Sequence, residues 1–170
     1  HFLGGIINSA DALAAMFNPA VNSYKRIDAT VTLSGATWSP NAISYSGNNR
    51  THMVRIPDEG RFELRLMDGA ANPYLLQAGV LMAGLDGVAN KRDPGKRLDI
   101  NMYTEGHRLR RIRRLPLNLL DAVRLFDSSK IVRNGFGAEF VDAYVKLKLN
   151  EWRSYSGSIS DWEREHTLDT

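Results

Sequence analysis

Four arginines lie in the segment from residue 49 to residue 74, with one glutamate between the last two of them. These charged residues are Arg50, Arg55, Arg61, Glu63 and Arg65. Guanidinium groups hold phosphate and carboxylate oxygens, and a carboxylate holds divalent metals. The segment is therefore a candidate site for a polyanionic ligand. The alternative is a solvated strand surface on which the arginines and the glutamate pair with one another.

The spacing of these residues indicates which of them share a face of a β-strand. Alternate side chains of a strand point the same way, so Arg61, Glu63 and Arg65 lie on one face. The intervening side chains are apolar and typical of a strand packed on a core. Arg50 and Arg55 are five residues apart and would point to opposite sides of a regular strand. A β-bulge, or a position beyond the strand end, is needed for both to reach one ligand.

Short strands are predicted around these charges. Their β-branched and aromatic residues place them at 43–45, 52–56 and 61–66, with turns at 47–49 and 57–60. Consecutive strands joined by short turns form an antiparallel meander. The sequence thus predicts an α+β fold in which helices pack on an antiparallel sheet.

Apolar residues at helical spacing predict the helices of the chain. These cover residues 2–17, 74–90, 117–126, 139–152 and 158–164. Pro19 follows the end of the first helix and Pro73 precedes the second, while Ser158 or Ser160 is the N-cap of the last. Glycines within the second helix lower its helix propensity, which predicts close packing against another element.

The composition is that of a soluble globular protein. The chain has 170 residues, of which 43% are apolar and 24% charged. Cysteine is absent, which excludes disulfides and thiolate chemistry. No apolar run reaches the roughly 20 residues of a membrane span. We expect a motif-rich core over 1–90, a charged surface loop over 91–116 and a helical tail over 117–170.

The net charge of +3 depends on one basic segment, because residues 107–114 contain five arginines. No aromatic residues are interleaved there to stack on bases, and no helix-turn-helix or zinc-finger spacing accompanies it. We therefore expect a solvated loop or a contact with another subunit, and no nucleic acid. The chain begins without methionine, so we expect a piece of a longer protein, and without a targeting signal we expect a cytoplasmic location.

Several motifs, in register along the chain, resemble the C-terminal catalytic region of glutamine synthetases. They are NSYKR at 22–26, NRTHMVRIP at 49–57, RFELR at 61–65 and ANPYLLQAGVLMAGLDG at 71–87. The tail sequences EFVDAYVKLKLNEW and WEREHTLD resemble the subgroup of γ-glutamylmethylamide synthetases and type III-like enzymes. This resemblance implies the α+β catalytic fold that glutamine synthetases share with guanido kinases.

The resemblance also implies roles for the arginines. Arg26 and Arg65 would hold the substrate glutamate. Arg50, Arg55 and Arg61 would contact the phosphates of ATP or the transferred phosphoryl group, with Arg50 acting in catalysis.

Glu63 would, by the same resemblance, ligate Mg²⁺ or Mn²⁺. A metal site for phosphoryl transfer needs several converging ligands, and relatives supply most of theirs upstream of the region that this chain resembles. We therefore expect the 170-residue chain to be inactive alone. We assign His52 a packing or surface role.

The activity implied is that of an ATP-dependent, ADP-forming ligase joining glutamate to ammonia or an amine through γ-glutamyl phosphate. The intact protein would be a homo-oligomer. Alternatives are a γ-glutamyl-alkylamide or polyamine ligase, a non-catalytic assembly module that keeps the scaffold, and a phosphagen-kinase-like activity, which the motifs do not favour.

One departure from the family concerns its Gly-Tyr-Glu-Ala-Pro loop, whose glutamate helps take a proton from ammonium. This chain has Gly-Ala-Thr-Trp-Ser-Pro at 35–40, with no acid between the ends, and Asp28 lies too early to replace it. Trp38 could shape a pocket for an alkylamine or could simply pack the loop. Separately, Asn-Met-Tyr at 101–103 resembles a sequence that some bacterial relatives modify with AMP, which would make Tyr103 a modification site.

Overall fold

In a computed structural model, the residues described are 1–27, 29 and 39–167. Helices dominate these parts of the chain and flank a small sheet. In chain order the elements are α1 Phe2–Phe17, α2 Ser23–Ile27, β1 Tyr45–Ser46, β2 Val54–Asp58, β3 Arg61–Leu64, α3 Pro73–Ala89, α4 Met102–Glu105, a 3-10 turn Gly106–Arg108, α5 Leu119–Ser128, α6 Lys130–Phe136, α7 Ala138–Ser156 and α8 Asp161–Thr167. Helices on a small mixed sheet form an α+β architecture.

The sheet corrects the predicted antiparallel meander. Within the described residues its order is β1-β2-β3, with β2 and β3 antiparallel but β1 and β2 parallel. The connection between β1 and β2, residues 47–53, is not a tight hairpin. Within it the chain makes a further turn, in which the Asn49 side chain accepts hydrogen bonds from the Thr51 amide (3.0 Å) and hydroxyl (2.8 Å). This additional turn carries the chain back, so that β2 starts alongside β1.

Helix α1 runs through the core and packs on α3 and α5. Its approach to α3 is closest at Gly5 and Gly87, where a Cβ added to Gly87 would lie 2.6 Å from the Gly5 Cα. Two backbones this close leave no room for a side chain, which is why small residues occupy the crossing. The close packing predicted for the glycines of this helix, α3, is confirmed.

The C-terminal end of α1 is buried, and its last carbonyl groups find donors in distant parts of the chain. Tyr24 Oη donates to the Ala14 carbonyl (3.3 Å) and Tyr144 Oη to the Ala15 carbonyl (2.9 Å). The Asp68 amide donates to the Phe17 carbonyl (2.9 Å). The Ala15 and Phe17 carbonyls thereby gain donors that the helix does not supply, whereas the Ala14 carbonyl also accepts from the Asn18 amide (2.8 Å). Burial raises the pKa of both tyrosines.

The later helices follow the apolar periodicity closely, with small shifts at their ends. Asn118 caps α5 by accepting from the Asp121 amide (2.8 Å), so this helix begins after the predicted position 117. At α8, Ser160 and Glu163 form a reciprocal capping box, which confirms one of the two predicted caps. The short helices α2, α4 and α6 were not predicted, because a single turn or two shows little periodicity.

Each helix in the described parts of the chain is too short or too polar to span a lipid bilayer.

Replacing Gly87 with alanine tests the α1–α3 crossing. Helix propensity alone would favour alanine by about 1 kcal/mol. The added Cβ meets backbone atoms of His1 and Gly5, so we expect a net loss of about 1–3 kcal/mol in the free energy of unfolding. Chemical denaturation measures this. Gly69→Ala is the control, because open space surrounds Gly69; equal stability of both variants would contradict the prediction.

Candidate functional site

The strands β2 and β3 bring two of the predicted arginines onto Glu63. Arg55 and Glu63 are directly opposite in the ladder, and Arg55 Nη1 lies 2.8 Å from Glu63 Oε2. Arg65 Nε lies 3.4 Å from the other carboxylate oxygen, Oε1. The arginine side chains are 18% and 14% exposed and the glutamate 45%. One carboxylate thus separates two shielded guanidinium groups and faces solvent itself.

The electrostatic surroundings keep Glu63 ionised. The hydrogen bond from Arg55 lowers the pKa of this carboxyl most, and the positive charges of Arg55, Arg65 and Arg50 lower it further. An ionised carboxylate beside several cations is stabilised at neutral pH and loses that stabilisation only as the pH falls through its lowered pKa. The charge of Arg50 therefore acts at the same carboxylate.

Arg50 lies outside the regular part of the sheet. It sits in a turn before β2, which begins at Val54. The predicted condition for Arg50 and Arg55 to act at one site, a position beyond the strand end, is therefore met. A bulge is also present in β2, but it falls between Arg55 and Asp58.

Backbone and amide groups orient the arginines near Glu63. Arg55 Nε donates to Asn48 Oδ1 (2.8 Å). The Arg65 amide donates to the Met53 carbonyl (2.8 Å), and its Nη1 approaches the His52 carbonyl (3.5 Å). Each guanidinium group thus has a further polar partner besides Glu63.

Arg61 lies apart from this group. Its Nη2 pairs with Asp58 Oδ2 at 2.8 Å in the turn between β2 and β3, and both side chains are 69% exposed. The exposures of Arg61 and Glu63 agree with the predicted common face of the strand. The structure nevertheless places Arg61 at the opposite end of β3 from Arg65, so that these two do not meet.

Arg26 lies on α2 and contacts the chain just after β3. Its Nη2 donates to Asn18 Oδ1 (3.0 Å) and to the Leu66 carbonyl (3.1 Å), next to Arg65 in the chain. Among the described residues, the buried Nε of Arg26 and Nδ2 of Asn18 have no hydrogen-bond partner. Both groups are donors, so the orphaned atoms suit a ligand that accepts hydrogen bonds.

His52 is fully buried, in agreement with a packing role. Its ring lies between Ser44 Oγ and the Ile100 carbonyl, and burial lowers its pKa. A buried, neutral imidazole with both nitrogens engaged has no lone pair left for a metal.

The described residues contain no group of three or more acidic or histidine side chains that could hold a metal ion. Glu63 suits one oxygen ligand of a hard divalent cation, since it is ionised and partly exposed. A complete metal site would need further ligands beyond these residues.

The departure from the Gly-Tyr-Glu-Ala-Pro loop lies almost wholly outside the described residues. Asp28, Thr37 and Trp38 are not described, so the predictions for an amine pocket stay predictions. Tyr103 is half-buried and burial raises its pKa, while its modification stays a prediction.

Sequence reasoning missed the asparagines that orient the arginines. The sequence pattern places Asn48 in a turn and Asn18 at a helix end before proline, and it assigns neither of them an arginine. A signal was available, because asparagine beside an arginine-rich strand offers an amide oxygen to a guanidinium group. Spacing alone does not show which asparagine faces which arginine.

Comparisons with known proteins identify the family of this chain. The family model described as glutamine synthetase, catalytic domain, matches residues 1–167. A glutamine synthetase of Rhizobium leguminosarum bv. phaseoli is 60% identical over 168 residues, covering 99% of this chain and 39% of the relative. A glutamate–methylamine ligase of Methyloversatilis universalis is 43% identical over 172 residues, covering 99% of this chain and 38% of the relative.

A solved structure described as a GmaS/ADP complex superposes with a TM-score of 0.91 at 58% identity, covering 99% of this chain and 39% of the other. The chain thus spans 39% of the length of the relative from Rhizobium leguminosarum. The resemblance seen in the motifs is confirmed: this chain belongs to the glutamine synthetase catalytic-domain family.

Proposed function

We propose that the protein is an ATP-dependent ligase that joins glutamate to ammonia or a small amine and forms ADP. The observation that carries this proposal is the Arg55–Glu63–Arg65 arrangement, with Arg50 acting on the same carboxylate, in a chain of this family. A set of shielded cations around one ionised carboxylate suits the binding of phosphates and a divalent metal.

The proposed reaction has two steps. An oxygen of the side-chain carboxylate of glutamate attacks the γ-phosphorus of ATP, and the bond to ADP breaks. The nitrogen of the amine then attacks the acyl carbon, inorganic phosphate leaves with the C–O electron pair, and the nitrogen releases a proton. Both steps need reactants held in line and negative charge neutralised.

The arginines perform that neutralisation in the proposal. Arg50, Arg55 and Arg61 bind the phosphates or the transferred phosphoryl group, and Arg50 is catalytic. The pair that Arg61 forms with Asp58 is exposed and only three residues apart, so it is weak and open to exchange for a phosphate.

Arg26 and Arg65 hold glutamate in the proposal. The orphaned donors of Arg26 and Asn18 support this role, because a carboxylate would supply the acceptors that they lack. The backbone amide of Arg65 donates to the carbonyl of Met53, just before β2, and its guanidinium group lies beside Glu63.

Glu63 would hold one Mg²⁺ or Mn²⁺ ion, with the remaining ligands supplied by other parts of the protein. Such an ion supplies charge stabilisation to the phosphoryl oxygens when it is bound. Arg55 and Arg65 each contact one oxygen of the carboxylate, and they keep Glu63 ionised and oriented.

An alkylamine is the second candidate for the nucleophile. The glutamate–methylamine ligase and the GmaS/ADP complex among the similar proteins favour it. The absence of an acid between Gly35 and Pro40 agrees, because ammonium would lack its usual proton acceptor. A non-catalytic assembly module is disfavoured, since pure scaffolding does not require arginines converging on one carboxylate.

We also propose that the intact protein is a homo-oligomer. Apolar side chains on α3 lie exposed, which supports contact with another subunit or with another part of the protein. They are Tyr74, Leu81, Leu85 and Val88. The cytoplasmic location stays a prediction.

Replacing Arg55 with alanine in the full-length protein tests the phosphate-binding role. We expect kcat/KM to fall by about two to three powers of ten, because a preorganised positive charge at the phosphoryl group is lost. The measurement is ADP release with ATP, Mg²⁺, glutamate and amine. Arg124→Ala is the matched control, since Arg124 forms a surface pair with Asp121 on α5; equal losses would contradict the assignment.

An amine series tests the reaction itself. We expect ADP release by the full-length protein only when glutamate and an amine are both present, because the acyl phosphate needs a nucleophile. Ammonia, methylamine and longer amines are offered in turn, and coupled detection of ADP gives kcat/KM for each. A preference for methylamine would support the alkylamine candidate, whereas no ADP with any amine would exclude the proposed ligase.

The 170-residue chain by itself is expected to show no steady ADP release, because its described residues supply one metal ligand to the site. The same assay, with the full-length protein as the positive control, measures this. Sustained turnover by the shorter chain would show that its own residues complete the metal site.

A further inference from the structure

We propose that His52 is a positioning residue for the arginine site. Its ring fixes the segment 49–53, which carries Arg50 and accepts hydrogen bonds from Arg65. The inference rests on the proposed function and assigns a role to a residue that touches no substrate.

The ring of His52 bridges two parts of the chain. Nε2 lies 2.9 Å from the Ile100 carbonyl and Nδ1 lies 3.0 Å from Ser44 Oγ. A carbonyl only accepts hydrogen bonds, so Nε2 carries the proton. In the neutral ring Nδ1 then accepts from the Ser44 hydroxyl, which determines both the tautomer and the ring orientation.

The backbone around His52 holds Arg65. The His52 carbonyl faces Arg65 Nη1 at 3.5 Å, and the next carbonyl, that of Met53, accepts from the Arg65 amide at 2.8 Å. A shift of His52 would therefore displace the group that anchors Arg65 beside Glu63.

The residues flanking Arg50 contact the same distant segment as His52 does. Asn49 Nδ2 donates to the Ile100 carbonyl (2.9 Å), and the Met102 amide donates to Thr51 Oγ1 (3.0 Å). We call residues 95–102 the strap. The turn that presents Arg50 is thus held against the strap from both sides.

The strap is itself anchored along β1. The Leu98 amide donates to the Tyr45 carbonyl (3.1 Å), Tyr45 Oη donates to the Gly95 carbonyl (2.8 Å), and Ser46 Oγ donates to Asp99 Oδ1 (3.0 Å). The strap is therefore a fixed partner for the 49–53 segment rather than a loose surface loop.

Arg50 needs such a partner because it lies outside the sheet ladder. A side chain that binds a phosphoryl group must be held to a fraction of an ångström, and irregular backbone does not achieve this alone. His52 supplies the deepest of these contacts, since it is fully buried while Asn49 and Thr51 are half-buried.

The test uses the full-length protein with His52→Phe and His52→Gln. Phenylalanine keeps the ring volume and loses both hydrogen bonds, whereas glutamine can again donate to the Ile100 carbonyl. Ser129→Ala is the matched control, because it removes the side-chain hydrogen bond that caps α6, in a part of the chain that holds no candidate site residue. Calorimetry gives the Kd for a non-hydrolysable ATP analogue, and steady-state kinetics give the KM for glutamate and kcat.

We expect His52→Phe to raise both the Kd for the ATP analogue and the KM for glutamate by roughly 10- to 100-fold, because Arg50 and Arg65 lose their alignment. His52→Gln should recover most of the loss, and Ser129→Ala should leave both constants unchanged while it lowers thermal stability. If His52→Phe does not fold, Ser44→Ala replaces it, with a smaller shift in the same direction expected.

Unchanged constants in a folded His52→Phe or Ser44→Ala variant would overturn the inference, and His52 would be only a packed core residue. The proposed ligase is tested separately by the unmodified protein. If that protein binds the analogue but forms no ADP, the ligase proposal fails, while weaker analogue binding by His52→Phe still supports the positioning role.

Discussion

A buried helix end must find donors for its last carbonyl groups, and this requirement at α1 organises the molecule. The donors are Tyr24, Tyr144 and the amide of Asp68, which come from three separate parts of the chain. They bring α2, α7 and the segment after β3 to one point. Asn18, which follows the same helix end, then holds Arg26. The position of one substrate-binding candidate is thus a consequence of core packing.

A second constraint is electrostatic. Guanidinium groups repel one another, and Arg55 and Arg65 share a site because Glu63 lies between them with one oxygen for each. Anionic ligands would supply the same neutralisation from outside, and a metal ion would compete with the arginines for the carboxylate. Partial exposure of Glu63 makes that exchange accessible, whereas the shielded arginines remain anchored through backbone and amide groups.

The functional candidates lie where regular structure stops. Arg50 precedes β2, Arg65 follows β3 and Arg26 belongs to a helix of little more than one turn. Irregular backbone frees side chains from the alternation of a strand, but it lacks ladder hydrogen bonds of its own. Contacts distant in sequence, such as those to the strap, therefore replace the missing ladder.

Local sequence patterns by themselves determined the long helices α1 and α3. They also determined that Phe62 and Glu63 point to opposite faces of β3. Both follow from periodicity, which depends only on neighbours within a few residues. The motifs also identified the family and predicted the arginines and Glu63 as site residues. Only the tertiary structure decided that β1 and β2 run parallel, that Arg61 pairs with Asp58, and which asparagines orient the arginines. The first feature depends on the path of the connection between the strands, and the others depend on which side chains meet across turns; residue spacing alone fixes neither.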